Sequence, residues 1–314
     1  MPRKSFYTVG NILIFVCMIL LVSCSSKTKV LEEIPTNTSD LPTITIGSKL
    51  FTEQYILMAM TSLLLRDNSY KVNEIRFLDS PTIRNAIEQQ LIDIYWEYTS
   101  TARIIFHKQP VIYDFDEVYN AVKEYDEIDN LIWLERSDFN SSWGVIVRKS
   151  FADKHQLVTI SDLIDYMKES DAPLKFATND EFLIREDGLG HLQQVYDLSL
   201  NDHQVLPVDT NLLTLAVKEG RVGVSIGMIS DSRISEYDLI VLHDDQQAFP
   251  SYHATPVATQ ELVEEHPTVK ILLNQLSKSI THQDMIELNY QVDVLQNDVI
   301  KVAKAFLIEK GLLN

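Results

Sequence analysis

The run Asp93-Ile94-Tyr95-Trp96-Glu97-Tyr98-Thr99-Ser100-Thr101 crowds aromatic rings, carboxylates and hydroxyls into one short stretch. Its apolar start, Leu91 to Tyr95, reads as a short buried strand, and the hydroxyls fall where a helix would begin. Aromatic faces and hydroxyl donors at the carboxyl end of a strand can surround a small ligand. The same residues also suit a core strand whose Tyr and Trp pack inward and find hydrogen-bond partners. A second polar run, Gly47-Ser48-Lys49-Leu50-Phe51-Thr52-Glu53-Gln54, follows the first predicted strand.

Signs of chemistry on a bound molecule are few. No Gly-x-Ser-x-Gly nucleophile elbow, His-Glu-x-x-His pair or glycine-rich phosphate loop is expected. His191, His243 and His253 lie near polar motifs, but none has the paired spacing of a metal site. No catalytic residue, metal or cofactor is expected. A lipid-anchored hydrolase using Ser, Asp and a histidine stands as the enzymatic alternative.

The elements that must position these runs are those of a chain long enough for two modest cores, at 314 residues and 45% hydrophobic. Residues 1–23 are expected to be a lipoprotein signal peptide. Arg3 and Lys4 form its basic start, Ile12 to Val22 its apolar stretch, and Leu21-Val22-Ser23-Cys24 a lipobox in which Cys24 takes lipid. Residues 24–42 then form a tether rich in Ser, Thr and Lys. Since Cys17 leaves with the signal, the mature domain has no disulfide and no thiol nucleophile. Its charge, (27 − 2) − 45 = −20, opposes nucleic-acid binding. The expected location is the extracytoplasmic face of the cell membrane, held by the lipid.

From Thr43 the pattern alternates. Thr43 to Ile46 reads as a strand, and a helix that Thr52 caps follows, with Ile56, Met60 and Leu63 or Leu64 inward. Lys71 to Leu78 reads as a second strand, and Ser80 caps a helix with Pro81 first and Ile83, Ile87 and Leu91 inward. Helices over Asp116 to Tyr125, Ser161 to Met167, Gly190 to Leu198 and Leu212 to Lys218 interleave with strands at Leu131 to Leu134, Trp143 to Val147, Leu174 to Ala177 and Arg221 to Ile226. Leu239 to Leu242 reads as the return strand, and helices cover Gln260 to Ser279 and roughly Met285 to Lys310. Alternation of this kind predicts an α/β class built of parallel units.

The two polar runs together, at their spacing, resemble the glycine betaine, carnitine and choline binding proteins of osmoprotectant ABC importers. The resemblance implies a two-lobed type II periplasmic-binding-protein fold with an interlobe ligand cleft. Residues 43–140 and 243–314 would form lobe I and residues 141–242 lobe II. It also implies capture of a quaternary ammonium solute and delivery to an ABC permease and its ATPase, with no enzymatic activity.

A quaternary ammonium cannot donate a hydrogen bond, so it is held by electron-rich ring faces, while a betaine's carboxylate seeks cationic and hydroxyl donors. The positions matching the family's aromatic cage are Tyr98, Trp143 and Tyr252, with Met228 where a fourth ring is expected. Those matching its carboxylate end are Lys49, Thr101 and Arg185. Leu189-Gly190-His191 also departs from the family pattern. These departures leave room for a larger betaine such as ergothioneine, or for an amino-acid-like ligand.

Overall fold

Residues 41–170 and 174–313 are described in a computed structural model; the expected signal segment, Cys24 and nearly all of the tether lie outside them. Among the described residues no helix is long and apolar enough to cross a membrane.

Apolar residues at helical and strand spacing collect into two five-stranded sheets. The strands are β1 (Thr43–Lys49), β2 (Lys71–Phe77), β3 (Ile94–Tyr98), β4 (Leu131–Trp133), β5 (Trp143–Arg148), β6 (Phe176–Thr178), β7 (Val205–Pro207), β8 (Val224–Met228), β9 (Leu239–Val241) and β10 (Ala254–Thr259). Their orders are β2-β1-β3-β10-β4 and β7-β6-β8-β5-β9. The α/β expectation holds, but the sheets are mixed rather than parallel. In each sheet four strands run in one direction, and the single exception, β10 in the first and β5 in the second, enters from the other sheet and pairs antiparallel with both neighbours.

Helix Thr52–Asp67 anchors the first sheet. Its residues Ile56, Leu57, Met60 and Leu64 are buried in one core with Ile44, Ile46, Ile94 and Trp96. Trp96 completes its polar edge by donating from Nε1 to Thr61 Oγ1 at 2.9 Å, as a buried indole requires.

Several local expectations are corrected. Thr52 is the first helical residue, not the cap, and its Oγ1 donates to Asp293 Oδ1 at 2.6 Å. Asp79, not Ser80, caps helix Ser80–Glu88 by accepting from the Thr82 amide at 2.8 Å. That helix ends before Leu91, because Gln90 takes a left-handed φ of 55° and breaks the 3.6-residue register, so Leu91 is exposed. The return strand is β10, while β9 still belongs to the second sheet. The last helical stretch divides into His282–Asp293 and Val299–Glu309, with Asp298 capping the second.

The two connections between the sheets lie side by side. The Tyr252 amide donates to Asn140 Oδ1 at 2.7 Å, the Ser141 amide to the Tyr252 carbonyl at 3.0 Å, and Ser142 Oγ to the Pro250 carbonyl at 2.8 Å.

Candidate ligand site

The carboxyl ends of the parallel strands converge on one cavity of about 420 Å³, lined by all seven residues expected from the sequence. Lys49 ends β1, Tyr98 ends β3, and Thr101 sits one helical turn beyond. Met228 ends β8 and pairs in register with Trp143, which begins the antiparallel β5. Reversal of β5 puts its amino end on the same sheet edge as the carboxyl ends of its neighbours. Arg185 follows helix Asp180–Ile184, and Tyr252 precedes β10. A segment from each sheet and from both connections therefore reaches the cavity.

Three rings form its inner wall. Tyr98, Trp143 and Tyr252 are 4%, 7% and 2% exposed, so each is anchored by packing and shows only part of its surface to the cavity. Phe51 stacks on Tyr98 at 6.4 Å between centroids and 22° between planes. Phe182 lies against Trp143 at 4.6 Å. Hydrogen bonds fix the Tyr98 ring, since its hydroxyl donates to Glu53 Oε1 at 2.6 Å and accepts from Gln54 Nε2 at 3.1 Å. Burial, joined by the charge of Glu53, pushes the Tyr98 phenol well above its ordinary value, so the ring stays neutral.

Both cations of the site are already paired. Lys49 Nζ meets Glu97 Oε1 at 2.6 Å, and the backbone amide of the next residue, Tyr98, donates to the same oxygen at 2.7 Å. Arg185 grips Asp187 with two bonds of 2.9 Å, donates to Glu181 Oε1 at 2.9 Å, and reaches the Tyr252 hydroxyl at 3.3 Å and Thr101 Oγ1 at 3.5 Å. Tyr252 in turn donates its hydroxyl to Asp187. Burial opposes the Arg185 charge, but Tyr252, Asp187 and Glu181 outweigh it and hold the guanidinium charged. Burial likewise pushes the Glu97 carboxyl up, against the pull of Lys49.

The lining also includes Asp79, Asp180, Glu181 and Asp209. With Lys49 and Arg185 neutralised internally, the field offered to a guest is acidic with aromatic walls, an arrangement that favours a cation. Glu181 and Ser80 also join the two sides, Ser80 Oγ donating to Glu181 Oε1 at 2.9 Å.

The sequence reading did not single out Asp187, Glu181, Glu97 or Glu53 as site residues. Glu53 and Glu97 lie inside the two quoted runs, and Glu181 and Asp187 stand four residues before and two after Arg185, a spacing from which both reach its guanidinium. The expectation that no Gly-x-Ser-x-Gly elbow occurs needs one correction, since Ser225 stands at that spacing between Gly223 and Gly227. It lies inside β8, fully buried and in register with Ile146 and Ala177. A nucleophile elbow instead needs an exposed serine on a sharp strand-to-helix turn.

A family model described as the substrate binding domain of ABC-type glycine betaine transport systems matches residues 42–309. A glycine-betaine-binding protein of Pseudomonas aeruginosa is 33% identical over 87% of this chain and 89% of its own length. An ergothioneine transport permease/ergothioneine binding protein of Helicobacter pylori is 30% identical over 89% of this chain, which spans 50% of that longer protein. Among solved structures, a glycine betaine/carnitine/choline ABC transporter chain superposes with a TM-score of 0.71 at 28% identity, covering 86% of this chain and 100% of that one.

Proposed function

This chain belongs to the family of substrate-binding domains of ABC-type glycine betaine transport systems, and from that premise we propose that it captures a quaternary ammonium solute between its two sheets. Proteins of this family are transporter components that work outside the cytoplasm. The single observation that carries the ligand reading is the convergence of Tyr98, Trp143 and Tyr252, all buried, on a cavity whose cations are already paired.

In the proposed cycle the solute's methyl groups rest on the three rings and on Met228, while Thr101 serves the other end of the molecule. Lys49 and Arg185 act with their carboxylates as polar walls, and either can turn to a ligand carboxylate by releasing part of its internal pairing. The two sides close on the ligand, and the closed form is read by a permease driven by an ATPase. Residues 43–140 with 243–314 and residues 141–242 are the proposed moving lobes. Cys24 is the proposed lipid attachment that keeps the protein beside its permease, after removal of residues 1–23.

Isothermal titration against glycine betaine, carnitine, choline, proline betaine and ergothioneine, with histidine as control, tests the reading. Micromolar or tighter binding of a trimethylammonium compound is expected, with loss in Tyr98→Ala while the variant still melts cooperatively. Saturation by ergothioneine alone would move the assignment to a larger betaine. A folded protein that binds no member of the panel would overturn it.

A further inference from the structure

The cavity has an inner and an outer part of different character. Around the buried rings the walls are aromatic and polar, but at the mouth, beside the exposed Asp180 and Asp209, Leu78 and Ile184 are 77% and 85% exposed, and Leu50 is 39% exposed. All three line the same cavity as Tyr98 and Trp143. Leu78 follows β2 of the first sheet and Ile184 ends the helix after β6 of the second, so the two face the opening from opposite sides. Single exposed aliphatic residues need no explanation, but several gathered at the mouth of one ligand-sized cavity mark a contact surface.

Size points the same way. Choline's seven heavy atoms, at about 10–15 Å³ each, take on the order of 100 Å³ of such space. The cavity holds about 420 Å³. A small quaternary ammonium seated on the rings leaves the outer part to something else.

We infer that the mouth residues Leu50, Leu78 and Ile184 form an apolar subsite for a carbon chain attached to the quaternary ammonium, so that the ligand class includes acyl esters of such compounds. The inference rests on the quaternary ammonium reading of the inner site. Continuity of the aliphatic mouth with the ring-lined floor lets one molecule span both. Each methylene that leaves water for the mouth should tighten binding about fourfold.

The test is isothermal titration of the protein with choline, carnitine and the acetyl, butyryl and hexanoyl esters of each. On whichever head group binds, affinity is expected to rise about fifteenfold per two-carbon step. The Leu78→Ser/Ile184→Ser variant, altered only at exposed positions, is expected to bind the parent compound as before and to lose the rise. A flat series over a bound parent compound overturns the inference and leaves these side chains to a protein contact. So does a rise that survives in the double variant. Failure of every head group and ester to bind refutes the quaternary ammonium reading itself, and the inference with it.

Discussion

Glu53 holds Tyr98 by accepting its hydroxyl at 2.6 Å on one oxygen, while the other oxygen finds no partner among the described residues. Ser141, Ser230 and Asn289 lie close enough to favour its charge without closing a bond to that second oxygen. Removing the donor alone should therefore be costly. Tyr98→Phe keeps the ring face and strands a buried carboxylate, at a cost of about 1–3 kcal/mol. Denaturant unfolding at neutral pH should show that loss, with ligand affinity within a few-fold of the parent. An unchanged midpoint would mean that the bond contributes nothing.

The same carboxyl sets a pH dependence. Burial raises its folded value above the ordinary 4.5, so the folded chain holds the proton more tightly than the unfolded one. The stability this contributes is fully present below about pH 4.5 and is lost as pH rises through the folded value. Glu53→Gln should flatten that fall, and the difference between melting curves of the two proteins across this range is the measurement. Parallel curves would show that Glu53 is not raised.

The buried Lys49–Glu97 pair should behave asymmetrically. Glu97→Leu leaves an unpaired ammonium in the interior, at about 3–5 kcal/mol, whereas the double change Lys49→Met/Glu97→Leu should recover most of the loss. A double-mutant cycle by chemical unfolding reads the coupling. Simple additivity would deny the pair.

Met228 stands opposite Trp143 across the β5–β8 pairing. A ring there adds a face that a thioether only partly replaces. Met228→Tyr should tighten binding of a trimethylammonium ligand by about 0.5–2 kcal/mol, and an unchanged titration would remove Met228 from the site.

Gly188 closes the turn that carries Arg185 and Asp187. A Cβ there would fall onto the Phe182 carbonyl oxygen and within 3.0 Å of the Arg185 carbonyl oxygen. Both are backbone atoms that cannot swing aside. Gly188→Ala should lower both the melting temperature and ligand affinity by displacing the guanidinium, and a variant as stable and as tight as the parent would show that the turn can give.

Much of this was legible in the sequence because it is local. Ile56, Met60 and Leu64 repeat at helical spacing, and they fill the core. The seven cavity residues were legible only through the resemblance of short motifs, since Lys49 and Arg185 lie far apart along the chain. What the motifs could not show is the pairing. A lysine after a strand looks the same whether it faces solvent or a buried glutamate such as Glu97. β10 was missed as the return strand because Pro256 interrupts its apolar run and weakens the strand signal. The aliphatic mouth was invisible because nothing in the sequence marks which aliphatic residues at the end of an element, such as Leu78 and Ile184, stay in solvent.

The order of the first sheet also dictates when the site comes into being. Tyr98 pairs with Ala254, 254 − 98 = 156 residues further along, and β4 touches the sheet only through β10. As the chain is made or secreted from its amino end, β3 keeps an open edge and β4 has no berth until the whole second sheet has passed. Closing so long a loop is slow, and an unpaired strand edge invites the wrong partner. Tyr252 rides on the same late segment. The cavity is therefore among the last parts of the molecule to be assembled, and a chain stopped short of Ala254 has every residue that lines it but leaves β3 with an open edge and β4 with no place in the sheet.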